Sequence, residues 1–187
     1  LTEVTKFFTD FYKLRCRILP MTNDVVSTFV TTDEDEVLSF QEYFVERRAE
    51  PVLKEVKYNG SNDASPTSEV IKALSEAEKI IIGPSNPVLS IGPILSIDNI
   101  KNIVTKHTSV TVISPFIDQK ALKGPSDRNF SDLGLEPNIN GLQEFYGEMV
   151  NEYIVHENES CGKNIQTKNI LFSDETIAVN LAKELIK

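Results

Sequence analysis

The 187-residue chain has no tryptophan, only two cysteines and two histidines, and no apolar stretch of membrane-spanning length. Each shortage removes a class of protein. Cys16 and Cys161 lie far apart and belong to no paired metal-ligand spacing, so both are read as reduced residues of a cytoplasmic protein. His107 and His156 are also isolated from each other and from any cysteine at zinc-site spacing, so no metal ligand is assigned. Apolar stretches such as 80–82 and 110–113 fall far short of the roughly 20 residues that cross a bilayer, and no membrane span is expected. Cations are scarce as well: 19 Lys and Arg against 28 Asp and Glu give a net charge of -9. A nucleic-acid surface needs the opposite balance, because it must neutralise backbone phosphates. A small anionic ligand is still compatible, since backbone amides and a few local cations can hold it.

Signature motifs are missing too. No GK[ST] follows a glycine turn, no GxGxxG stands at a strand end, and no nucleophile elbow occurs. The first residue is Leu1, with no charged region and apolar signal core near it, so the sequons at Asn59, Asn129 and Asn158 are read as chance matches.

What is present is an ordinary globular composition, 40% hydrophobic and 25% charged, of a length suited to one domain spanning 1–187. Apolar residues from Val4 to Leu14 recur at helical spacing, which predicts an amphipathic helix over 1–16. Segments 24–32, 36–47 and 52–58 are rich in Val, Thr, Phe and Tyr and predict strands, with the acidic break Asp33-Glu34-Asp35 as a hairpin turn. Thr67 or Ser68 caps a predicted helix over 70–77. Beyond it the pattern predicts strand 79–83, helix 93–106, strand 109–114, helix 141–151, strands 153–156 and 170–172, and helix 175–186. Region 118–139 has no clear periodicity and reads as a long loop. Short apolar strands alternating with amphipathic helices mark a covered parallel sheet. The expected fold class is α/β: a Rossmann-like, mostly parallel sheet with helices on both faces, plus a hairpin-rich insertion over 24–58.

In such sheets ligands bind beyond the carboxyl ends of the strands. After Ile80-Ile81-Ile82 comes Gly83-Pro84-Ser85-Asn86-Pro87, then Ser90-Ile91-Gly92-Pro93. Gly83 lets backbone approach a ligand, the prolines stiffen the turn, and Ser85, Asn86 and Ser90 offer hydrogen bonds near a positive helix end. These features suit a diphosphate; they also suit a rigid helix entry with hydroxyl caps. Lys123 and Arg128 are two cations in a glycine and proline stretch on the same side of the sheet, placed either to neutralise phosphate or to face solvent. In a strand over 40–48, alternation sets Phe40, Glu42 and Phe44 on one side and Gln41, Tyr43 and Val45 on the other, fitting an aromatic pocket or a half-buried strand alike.

Taken together, the segments Arg17 to Thr22, Phe40 to Val45, the run GPSNPxxSIGPIL over 83–95, Ser114-Pro115, Lys123-Gly124-Pro125 and Asp174-Glu175-Thr176 resemble the 2-phospho-L-lactate transferases of coenzyme F-420 biosynthesis. The long run is specific; the other segments are short. The resemblance implies transfer of a phospholactyl or phosphoenolpyruvyl group from a guanosine diphosphate conjugate to the ribityl hydroxyl of a deazaflavin precursor, with GMP leaving. It implies Gly83, Ser85, Asn86, Ser90, Gly92, Lys123 and Arg128 at the nucleotide phosphates, and Phe40, Gln41 and Phe44 at the deazaflavin. It also implies magnesium at the diphosphate, a carboxylate as base, and a homodimer. Family members open with a strand, a glycine-rich nucleotide loop and acidic metal ligands that have no counterpart here. The expectation is therefore a C-terminal portion with little or no transferase activity of its own. A purified sample with the turnover of a complete family member would overturn it. Two rivals stand beside this reading: a non-catalytic nucleotide-sugar-binding regulator of the same fold, and a dinucleotide oxidoreductase suggested by fold class alone.

Overall fold

A computed structural model describes residues 1–159 and 162–186, so Cys161 lies outside the described residues, while Cys16 is a free, exposed thiol. Four strands form the parallel sheet in the order β4 (Ile80–Ile82), β5 (Val110–Ile113), β8 (Glu152–His156) and β9 (Ile165–Lys168). β5 is buried along its whole length, as a strand covered on both faces must be. Alternation then sorts the two faces. Ile113 and Ile154 are register partners and pack with Ile170 and with Leu181 and Leu185 of α7 (Glu175–Leu185). Val112 and Tyr153, also partners, join the larger cluster with Val70 of α2 (Ser68–Ser75), Ile100 and Val104 of α4 (Asp98–Lys106) and Leu142 of α6 (Ile139–Tyr146).

The hairpin-rich insertion is a separate antiparallel sheet, β2-β1-β3, of β1 (Ser27–Thr32), β2 (Val37–Ser39) and β3 (Leu53–Asn59). Its acidic turn is as expected: Asp35 takes a left-handed φ of 63° and its N–H donates to the Thr32 carbonyl at 3.0 Å. Two side-chain bonds among the described residues tie this sheet to α5 (Ser126–Asp132) and to the turn after the Ile80–Ile82 strand. The Leu53 N–H donates to Asp132 Oδ2 at 3.0 Å, and the Tyr58 hydroxyl donates to the Val88 carbonyl at 2.6 Å.

Several expectations need correction. Residues 40–47 are not strand; the chain turns helical at Phe40 and forms a π-helix over Glu42–Glu46, closed by Arg47 N–H to the Glu42 carbonyl. The cause is local. Ser39 and Glu42 form a reciprocal capping box, Ser39 N–H to Glu42 Oε2 at 2.7 Å and Glu42 N–H to Ser39 Oγ at 3.3 Å. These bonds to Ser39 hold the Glu42 carboxyl below its usual range. The predicted strand 170–172 is irregular; the fourth strand is β9, and Asn169 Oδ1 accepts the Leu171 N–H at 3.0 Å in a turn of its own. Region 118–139 holds β7 (Lys120–Ala121), which pairs in a tiny hairpin with β6 (Phe116–Ile117) just before it, and helix α5 (Ser126–Asp132). The helix expected from Pro93 starts earlier, as a π-turn over Pro87–Ile91 that runs into α3 (Gly92–Leu95). Helix α1 (Thr2–Phe11) is present but shorter than expected, and none of its residues is buried. Its rings stack on one another instead, Phe7 on Phe11 and Phe8 on Tyr12.

Candidate functional site

Beyond the carboxyl ends of β4 and β5 lies a cavity of about 510 Å³ whose wall combines Ser85, Asn86 and Ser90 with Lys123, Ser126, Phe40 and Phe44. Three local structures build it. The first is the turn after β4. Asn86 caps the π-turn, its Oδ1 accepting the Val88 and Leu89 N–H groups at 3.0 Å each, and Pro87 takes the first helical position, where its missing N–H costs nothing. Ser85 and Ser90 are exposed on this turn. The second is the Lys123-Gly124-Pro125 loop, where Gly124 takes φ +69° and Lys123 is exposed with no ion-pair partner among the described residues. The third is the helix after β2, which sets Phe40 and Phe44 one turn apart with rings stacked, centroids 5.3 Å apart and planes at 18°.

The wall thus has a polar, cationic side and a flat aromatic side. Such a division suits an anionic group joined to a planar ring, since ring faces stack while phosphate oxygens take N–H and O–H donors. The lining contains no carboxylate, and among the described residues no three His, Cys, Asp or Glu side chains gather as a metal site. Magnesium therefore finds no ligand set in this wall.

The sequence-derived residues do not all meet here. Arg128 lines a neighbouring cavity of about 1120 Å³ with Arg48 and Lys120; that cavity shares only Phe44, Gly124 and Pro125 with the first. Placing Lys123 and Arg128 in one loop misses this, because α5 carries Arg128 to the far side of Gly124-Pro125. Gly83 lines an apolar groove of about 310 Å³ beside β4, with Leu19, Met21, Leu74 and Ile91. Gly92 is buried away from the lining, where a Cβ would stand 2.1 Å from the Tyr58 hydroxyl, so its place in the turn is one of packing. Gln41 is exposed and outside the lining. Leu171 and Phe172 do join the cavity, a role the strand reading hid. His107 is structural: Nδ1 accepts the Ser109 N–H and Nε2 meets the Ala77 carbonyl at 2.8 Å.

Sequence reasoning also missed Tyr43 and Asn129, both wholly buried. Asn129 Nδ2 donates to the Tyr43 hydroxyl and Asn129 Oδ1 accepts from Asn86 Nδ2, each at 2.9 Å. Burial raises the Tyr43 phenol above its ordinary range against the opposing effect of the Asn129 bond. The S-x-x-E capping box at Ser39 was the available signal that residue 43 faces inward on a helix.

Comparison with known proteins identifies the lineage, for the sequence signature described as 2-phospho-L-lactate transferase CofD matches residues 1–185. The chain belongs to the CofD family. A 2-phospho-L-lactate transferase of Methanopyrus kandleri is 38% identical over 181 residues, covering 93% of this chain and 58% of the relative. The Methanocaldococcus jannaschii transferase is 30% identical over 100% of this chain and 62% of its own length. The Haloarcula marismortui transferase is 36% identical over 86% of this chain and 47% of its own. This CofD-family chain therefore spans about half to three fifths of these relatives. Among solved structures, a Bacillus halodurans protein described as a member of the UPF0052 family superposes with a TM-score of 0.67 at 13% identity, over 97% of this chain and 66% of that one. At that identity the likeness concerns the fold alone.

Proposed function

We propose that this chain forms the substrate cleft wall of a phospholactyl transferase in coenzyme F-420 biosynthesis, acting on a guanosine diphosphate conjugate and a deazaflavin precursor. The observation that carries the reading is the meeting, in one cavity, of the Ser85-Asn86-Ser90 turn, Lys123 and the stacked Phe40–Phe44 pair. In this reading the turn and Lys123 hold the diphosphate, and the two rings hold the deazaflavin. The ribityl hydroxyl oxygen attacks the phosphorus bearing the lactyl group and gives up its proton to solvent, the bond from that phosphorus to the GMP phosphate oxygen breaks, and GMP leaves with the electron pair. Positioning and charge neutralisation then supply most of the rate, as in phosphoryl transfer generally. No magnesium ligand and no catalytic base is assigned to a residue of this chain, and phospholactate and phosphoenolpyruvate serve the reading equally.

The test is a deazaflavin titration followed by fluorescence. Saturable quenching that Phe44→Ala weakens by about tenfold, the scale of one lost aromatic contact, is expected. Saturable binding of a uridine sugar with no deazaflavin effect would favour the nucleotide-sugar regulator and sink the proposal.

A further inference from the structure

Asn86 has four hydrogen-bonding capacities, and the structure accounts for three. Both lone pairs of Oδ1 are taken by the Val88 and Leu89 N–H groups at 3.0 Å, and one Nδ2 hydrogen goes to Asn129 Oδ1 at 2.9 Å. A flipped amide would aim its NH2 at two N–H donors, so the orientation is settled by the bonds themselves. Among the described residues the second N–H has no acceptor, and the side chain that carries it lines the cavity. Asn129 is outside that lining and 0% exposed; its own Nδ2 donates to the Tyr43 hydroxyl, which reaches the Pro51 carbonyl at 3.4 Å. The run Asn86–Asn129–Tyr43 therefore joins the turn after β4, helix α5 and the helix that carries Phe40 and Phe44.

We propose that Asn129 is a positioning residue: through Asn86 it makes the turn present a single N–H donor to a phosphate oxygen, and through Tyr43 it fastens that turn to the aromatic wall. This rests on the reading of the cleft as a nucleotide site, but its mechanical part is measurable without any ligand. Asn129 is outside the cavity lining, so on this proposal its effect on GDP binding passes through Asn86, while its bond to Tyr43 bears on the aromatic wall. The effect of losing both residues then equals the effect of losing Asn86.

The experiment is a double-mutant cycle on the full chain with GDP as probe, each variant first checked for an unchanged far-ultraviolet spectrum. Asn86→Ala is expected to weaken GDP binding by about tenfold, the scale of one hydrogen bond to a charged group. Asn129→Ala should approach the same loss, and the double variant should stay within about twofold of Asn86→Ala. Additive losses in the double variant would overturn the proposal, since they would mean that Asn129 acts by general packing. Side-chain amide exchange measured by NMR supplies the ligand-free arm. The Asn86 NH2 should show one protected and one solvent-exchanging proton, and both Asn129→Ala and the ring-preserving Tyr43→Phe should speed the protected one, while the Val88 amide stays protected. No change in either variant would also overturn the proposal. If the NMR result holds and GDP does not bind the wild-type chain, the nucleotide reading fails while the relay stands.

Discussion

Gly92 and Tyr58 show how closely one atom can decide a position. A methyl group at 92 would stand 2.1 Å from the Tyr58 hydroxyl, 2.8 Å from its ring and 3.2 Å from the Pro87 carbonyl. The hydroxyl cannot swing away freely, because it donates to the Val88 carbonyl at 2.6 Å. Gly92→Ala should therefore cost about 1–3 kcal/mol in urea denaturation, as overpacking does, whereas Gly83→Ala, with nothing within 4 Å, should stay within about 0.5 kcal/mol of wild type. Tyr58 and Tyr153 also set an alkaline limit. Burial pushes both phenols up to about 12 from an ordinary 10.0. The native state then holds protons that the unfolded chain has released, so this stability is intact below pH 10 and is lost as pH rises toward 12. Urea midpoints measured from pH 8 to 11.5 should fall only above pH 10, and a midpoint that rises across that interval would contradict the assignment.

At the scale of elements, the segment 40–47 is the instructive one. Its Phe, Tyr and Val content has strand propensity, and propensity is a weak prior that local hydrogen bonding can override. The Ser39–Glu42 capping box satisfies two of the donors that a helix start leaves open, and this outweighs composition over so short a stretch. Ser39→Ala should destabilise the protein by about 1 kcal/mol and, by loosening the Phe40–Phe44 stack, weaken deazaflavin binding more than GDP binding. Equal loss of both ligands would refute that link. The predicted strand 170–172 failed for the opposite reason. Three apolar residues in a row carry no periodicity, and here only Ile170 turns inward, while Leu171 and Phe172 are exposed over the cavity.

Over the whole molecule, β4 and β9 are the edges of the described parallel sheet. Among the described residues β4 pairs only with β5, and Ile81 on it is 38% exposed beside the apolar groove lined by Leu19, Met21 and Ile94. An apolar edge with unpaired backbone groups recruits other chains. If copies meet along the β4 edge, Ile81→Lys shifts sedimentation toward the monomer at equal protein concentration, without lowering the thermal midpoint by more than a few degrees. Unchanged sedimentation would show that the edge is not the contact. No described helix is long and apolar enough to cross a membrane.

The sequence by itself determined the α/β class, the positions of β4, β5, β8 and α7, the acidic hairpin turn and the helix-capping turn after β4. These depend on periodicity, β-branched runs and cap residues, which act within a few positions along the chain. It also held the resemblance to the CofD family, whose signature covers 1–185. Only the tertiary structure decided that Lys123 and Arg128 face different cavities, that Gly92 is a packing glycine, and that Asn129 joins the turn to the aromatic wall. Those outcomes depend on contacts between residues such as 43, 86 and 129, which no local pattern encodes because chain topology alone brings them together.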